Sequence, residues 1–289
     1  VHNFSNGLLN PALGYVMSCV GSFLGLRCVT LARAREGIAR ARWLALAAVS
    51  IGATGIWAMH FIAMLGFTIP GQQILYNVPM TIASMLVAVA VVGVGLFIVG
   101  FGDGGRTRLL AGGVIIGVGV AAMHYLGMTA MSMQDSMSYN MPLVALSVLI
   151  AIVAGTAALW AGTRVNTLAA TVGAALIMGV AVSGMHYTGM AALHIGHGPM
   201  SSMPSAASLG LSSVSGTTAA VFLIPLLLVI SVATFAVTLT ISISPGEEEI
   251  AADAELARQM EHLQQRQAWS HVSSAGDSAP PWPVPDDRL

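Results

Sequence analysis

Met185-His186-Tyr187-Thr188-Gly189-Met190 closes an apolar run spanning roughly residues 167–191, long enough to cross a membrane. The same beginning recurs at Met59-His60 and Met123-His124, each near the end of a comparable run. The three histidines are 64 and 62 residues apart, and each is followed four positions later by a methionine, Met64, Met128 and Met190. One imidazole in a bilayer is an accident of packing. Three at a fixed period, each with a thioether one helical turn away, call for a common cause.

Working outward, 56% of the 289 residues are hydrophobic and 8% are charged. A soluble domain carries about 25% charged residues, so the chain reads as an integral membrane protein. A net charge of −1 leaves no basic footprint for nucleic acid. Seven stretches have the length and apolarity of a span: 10–32, 43–66, 79–101, 108–131, 142–163, 167–191 and 217–243. The link after the first carries Arg33, Arg35, Arg40 and Arg42, that after the third Arg106 and Arg108, and that after the fifth Arg164. Connections 67–78, 132–141 and 192–216 contain no arginine. Positive charge collects in cytoplasmic loops, which predicts an extracytoplasmic N-terminus and a cytoplasmic C-terminus. The start, Val1-His2-Asn3-Phe4, has no positive leader, so the first run is expected to be a permanent span. Cys19 and Cys28 both fall in that run and are expected as two packed thiols.

The first six spans form three pairs. Tyr76-Asn77-Val78-Pro79 opens span three and Tyr139-Asn140-Met141-Pro142 opens span five, while Asn10-Pro11 opens span one. Proline suits a first helical turn, where its missing N–H has no partner to lose. The predicted architecture is therefore an all-α polytopic bundle of seven transmembrane helices. It has two-helix repeats over about 8–66, 77–131 and 140–195, an extra span at 217–243, and together these make one membrane domain over 1–243. Small-residue steps such as Gly21-x-x-x-Gly25 and Gly113-x-x-x-Gly117 are read as close helix packing. Beyond 244 a charged helix is expected over Glu247 to Gln267, followed by a proline-rich tail from Ala279. Residues 244–289 are too few for a catalytic domain.

On a helix, positions i and i+4 share a face, pairing His60 with Met64, His124 with Met128 and His186 with Met190. The three motif-bearing helices all run outward, and about six residues at roughly 1.5 Å each place the histidines ~9 Å below the outer boundary. All three motifs can thus converge on one site. Imidazole and thioether form a soft donor set that favours copper, and the spans offer no carboxylate for a hard cation. Zinc suits thioethers less well. Haem held by two histidines is the rival cofactor, with less room beside the His-to-Met turn, and hydrogen-bonded core histidines beside filler methionines are the bland alternative. Met59, Met123 and Met185 lie about 100° around their helices and rank second as ligands. The loops add Met131, Met133, Met137 and Met141, then His194, His197, Met200 and Met203. These are either a surface capture route for copper or incidental residues of polar loops.

Met185-His186-Tyr187-Thr188 resembles the signature of the MHYT domain, a bacterial membrane sensor module, and Met123-His124-Tyr125-Leu126 and Met59-His60-Phe61-Ile62 look like degenerate copies. The resemblance covers about residues 8–243. It implies copper held by His60, His124 and His186 with their methionines, in the bacterial plasma membrane, and a sensor of oxygen, carbon monoxide or nitric oxide. Such modules often precede diguanylate cyclase, phosphodiesterase or histidine kinase domains. With none following here, a stand-alone module is expected, signalling through a separate cytoplasmic protein. The rival function is a copper transporter, which would need a second set of ligands toward the cytoplasm, where the spans offer mostly Ala, Val, Leu and Gly apart from Cys28. No nucleophile or acid/base constellation points to an enzyme.

Overall fold

The computed structural model describes residues 7–68, 74–102, 105–132, 136–196, 219–244 and 255–267. Helix α1 (Leu9–Arg33) is followed by α2 (Gly37–Val49), a π-helical stretch (Ser50–Ala58) and α3 (Met59–Met64). These last three run on as one span, Gly37–Met64. Then come α4 (Val78–Gly100), α5 (Arg106–Thr129), α6 (Met141–Arg164), α7 (Leu168–Ala191) and α8 (Ala219–Ser242). Seven of these helical runs are long and apolar enough to cross a membrane. The chain is thus an all-α, multi-pass membrane protein.

Local chemistry explains where the helices start. The Asn77 side chain accepts from the Met80 amide at 3.1 Å and Asn140 from Leu143 at 3.3 Å, each satisfying an amide that a helix start leaves open. Pro79 and Pro142 occupy the first turns that follow. The Thr167 hydroxyl caps α7 in the same way, accepting from Ala170 at 3.2 Å.

The connections at the Met-His end are not plain loops. Strand β1 (Leu75–Tyr76) pairs antiparallel with β2 (Met131–Ser132), and β3 (Ser136–Tyr139) with β4 (Leu193–Gly196). The ladders continue into the caps, since the Asn77 amide donates to Ala130 O at 2.8 Å and the Asn140 amide to Ala192 O at 2.9 Å. In the first pair the Asn10 side-chain amide does the equivalent work, donating to Ile62 O at 2.9 Å. Each helix pair is therefore stapled, entry to exit, at its Met-His end.

The six helical spans of the repeats close into a ring. Span Gly37–Met64 packs between α1 and α4, α4 on α5, α5 on α6, α6 on α7, and α7 back on α1. Glycines set the closest approaches, because a Cβ at Gly21 would overlap the Gly55 backbone and one at Gly117 the Ile152 backbone. The π-helical stretch is buried along its whole length. Gly52 and Gly55 fit it between α4 and α1, where a Cβ at Gly52 would lie 2.8 Å from Val89 Cα. The expected span 43–66 is thus longer at its start and is rewound just before Met59-His60. Helix α8 lies against α1 and the π-helical stretch, where the Thr54 and Thr234 hydroxyls meet at 2.9 Å.

At the other end of the ring, three arginines in and beside the α1–α2 link hold three helix ends. Arg35 donates to Leu31 O at 2.7 Å, Arg40 to Gly100 O at 3.3 Å, and Arg33 to Gly162 O and Val165 O at 3.2 and 3.3 Å. These carbonyls end α1, α4 and α6, where a helix leaves acceptors open and its dipole is negative. Both cysteines are free thiols on α1.

The chain divides into two compact units, Val1–Ser244 and Pro245–Leu289. In the second, a helix over residues 255–267 exposes Leu256, Met260 and Leu263. The expected beginning of that helix at Glu247 and the tail from Ala279 lie outside the described residues.

Candidate metal centre

His60, His124 and His186 come from three different repeats and are each at most 1% exposed. Their helices place them at matching positions, one residue after a methionine and near the stapled end. The side chains meet. His60 Nδ1 lies 3.0 Å from His186 Nδ1 and 3.1 Å from His124 Nδ1. The three rings stand edge to face, with centroids 4.9, 5.0 and 5.2 Å apart and interplanar angles of 81° to 86°. Among the described residues this is the one cluster of three or more His, Cys, Asp or Glu groups able to share an ion.

Each imidazole is flanked by the residue that follows it, which supplies an aromatic edge, Phe61, Tyr125 or Tyr187, at 4.7 to 4.9 Å between centroids. The Nε2 edges of His60 and His124 also rest on a glycine of the next repeat. A Cβ at Gly127 would lie 2.6 Å from His60 Nε2, and one at Gly189 would overlap His124 Nε2. Those Nε2 atoms are buried with no hydrogen-bond partner among the described residues. A further aromatic layer follows, since Phe61 also touches Trp57, whose indole donates to Ser84 Oγ at 3.0 Å, and Tyr76, whose phenol burial pushes up to about 12. The Tyr125 and Ser147 hydroxyls meet at 2.8 Å.

The inward Nδ1 atoms can be matched by protons only at a cost on the outer side. With protons on His124 and His186 Nδ1, both contacts become hydrogen bonds to a bare His60 Nδ1, and the His60 proton then sits on an Nε2 that has no acceptor among the described residues. A cation at the centre would accept three lone pairs at once. Three imidazole nitrogens about 2.0 Å from one ion in a trigonal plane lie about 3.5 Å apart, a few tenths of an ångström wider than the His60–His186 and His60–His124 separations. The donor set therefore fits a borderline or soft metal ion, and with no carboxylate in the cluster it does not fit a hard one.

The remaining sequence candidates separate by location. Met64, Met128 and Met190 are buried one turn beyond the histidines. Met59, Met123 and Met185 are buried as well, but Met59 packs toward Gly14 of α1 and Met185 lines a cavity on the far side of the cluster. His194 sits on β4, exposed, with its Nδ1 3.1 Å from Ala192 O. Met131 is buried in β2 and Met141 is exposed at the start of α6. His197, Met133, Met200 and Met203 lie outside the described residues. The supporting glycines were missed by sequence reasoning, although the signal stood in the quoted motifs, where a small residue, Ala63, Gly127 or Gly189, always follows the histidine by three.

Fold and cluster together define a class, a multi-pass membrane protein in which helix-pair repeats bring one buried histidine each to a common point. A family model for MHYT, the bacterial signalling protein N-terminal repeat, matches residues 54–112 and 117–175. The chain belongs to the MHYT family. The two matched windows begin 63 residues apart and start half a repeat later than the stapled pairs seen here.

Among curated relatives, the bifunctional diguanylate cyclase/cyclic di-GMP phosphodiesterase MucR of Pseudomonas aeruginosa is 36% identical over 240 residues, 80% of this chain and 33% of that protein. The cyclic di-GMP phosphodiesterase NbdA of the same organism is 35% identical over 220 residues, 72% of this chain and 27% of that protein. The signaling protein YkoW of Bacillus subtilis is 30% identical over 187 residues, 62% of this chain and 23% of that protein. The chain thus spans a third or less of the length of these relatives. No solved structure matches.

Proposed function

We propose that this chain is a non-catalytic sensor in the bacterial plasma membrane, with a copper ion held by His60, His124 and His186 as its detecting element. The observation that carries this reading is the convergence of three buried Nδ1 atoms from three repeats, with no carboxylate among them. Bound copper would supply a redox-active centre with an open position for oxygen, carbon monoxide or nitric oxide. Met64, Met128 and Met190 are the soft donors best placed to complete its shell, because Met59 and Met185 are engaged elsewhere.

The chain's own residues set how a signal would leave. His60 lies two residues after the π-helical stretch, and π-type distortions are common at functional sites. That stretch touches α8 through Thr54 and Thr234, so a shift of the His60 ring on metal or gas binding would reach α8 and, beyond it, a cytoplasmic signalling partner. Relatives named for cyclic di-GMP turnover support a signalling context. The copper-transporter alternative is disfavoured by the wholly apolar lining of the cavity behind the histidines, which offers a moving ion only the thioethers of Met178 and Met185.

Purified protein should carry about one copper ion, and replacing His60, His124 and His186 together by alanine should abolish it while the helical content stays unchanged. Full copper loading of that variant would remove the site from this reading. The arginine asymmetry supports an N-terminus outside and a C-terminus inside, so reporter fusions at His2 and Leu289 should fall on opposite sides of the membrane; the same side would refute seven crossings.

A further inference from the structure

One helical turn before the histidines, at Ile56, Val120 and Val182, the ring of helices is incompletely filled. A cavity of about 40 Å³ lies there, against the roughly 10–15 Å³ that one water requires on the same measure. Met185, the residue before His186, lines one end of it. Every span of the three repeats contributes to its wall, including Val29, Ile56, Val92, Ile116 and Val182. All its side chains are apolar.

A cavity of this size in a close-packed interior is unusual, and its chemistry decides what can enter it. Water needs two to four polar partners to stay in a buried space, and apolar cavities without them remain dry and take up small apolar guests. The wall also has a direction of access. Most of its residues are buried, and the three that are only partly so are alanines, Ala154 and Ala158 on α6 and Ala181 on α7. The thinnest side therefore faces lipid between two neighbouring helices, where small side chains leave a gap.

We propose that this cavity is a binding site for a small neutral apolar molecule of diatomic size, entering from the bilayer between α6 and α7 and held next to the histidine cluster. Its connection to sensing rests on the metal reading above; its occupancy does not. A diatomic gas dissolves better in hydrocarbon than in water, so a lipid-side entrance would load the sensor from the phase where the gas is concentrated. An alkyl chain has the same apolar chemistry but exceeds the space.

Xenon is the probe, because it matches the cavity and needs no metal. Metal-free protein in lipid nanodiscs should bind xenon saturably, read by xenon magnetic resonance. Ala154→Leu and, separately, Ala158→Leu should weaken that binding at least fivefold without lowering the melting temperature, since the added carbons fill existing space. In copper-loaded protein the same variants should keep full metal content yet slow carbon monoxide rebinding after photolysis about tenfold. No saturable xenon binding in the parent protein, xenon binding unaltered by both leucines, or an acyl chain found in the cavity would each overturn the proposal. If xenon binds as expected but the protein takes up no copper, the cavity stands and the metal reading falls. Saturable xenon binding with unchanged rebinding rates would remove the lipid-side route to the histidines.

Discussion

The two ends of the helix ring are held together in different ways. At the Met-His end each repeat contributes a histidine and an asparagine staple, and the second and third repeats each add a glycine beneath a neighbour's ring. At the arginine end Arg33, Arg35 and Arg40, all in or beside the link between α1 and α2, reach the ends of α1, α4 and α6. A threefold centre is what an equal share in one ligand requires. Anchorage has no such requirement, because any guanidinium that reaches an open helix end will serve.

That contrast makes the two ends separable by mutation. The largest effect is expected from Gly189→Val, whose branched side chain would displace the His124 ring and should weaken metal binding by at least 100-fold. Gly127→Ala places a single methyl 2.6 Å from His60 Nε2 and should cost roughly tenfold to 100-fold in affinity, the range typical of groups that orient metal ligands. Arg33→Met removes charge-assisted bonds to three acceptors from an exposed side chain. It should lower stability by about 1–2 kcal/mol and change metal affinity less than threefold. Gly184→Ala, on the same helix as Gly189 but with nothing within 4 Å of the new methyl, should leave metal affinity unchanged and not reduce stability, alanine being the better helix former by about 1 kcal/mol. Copper titration and thermal denaturation of the four variants check all of this. Equal damage to metal binding from Arg33→Met and Gly127→Ala would erase the distinction between the ends.

What could be read from the residues alone follows the same division. Met59-His60, Met123-His124 and Met185-His186 were legible because a period near 63 residues, combined with the alternating direction of the spans, puts like residues at like depth. The spans themselves follow from uninterrupted apolarity. The π-helical turn over Ser50–Ala58 was not legible, since it arises from how Gly52 and Gly55 pack against α4 and α1, and glycine content alone signals only close approach. The strand pairs were hidden as well. Leu75-Tyr76 and Met131-Ser132 are too short to show alternation, and their pairing depends on two helix ends being brought side by side. The prolines at 79 and 142 were read as helix starts, whereas the asparagines two residues earlier both cap the helix and staple it to its partner.

The proposed sharing of one soft metal ion by three imidazoles, one from each repeat, through Nδ1 is open to X-ray absorption at the copper edge of the loaded protein. Three imidazole nitrogens are expected in the first shell at about 2.0 Å, falling to two in His124→Ala, with any sulfur scattering lost from Met64→Leu, Met128→Leu or Met190→Leu and retained in Met59→Leu. A first shell with one imidazole or none, or one unaltered in His124→Ala, would contradict it.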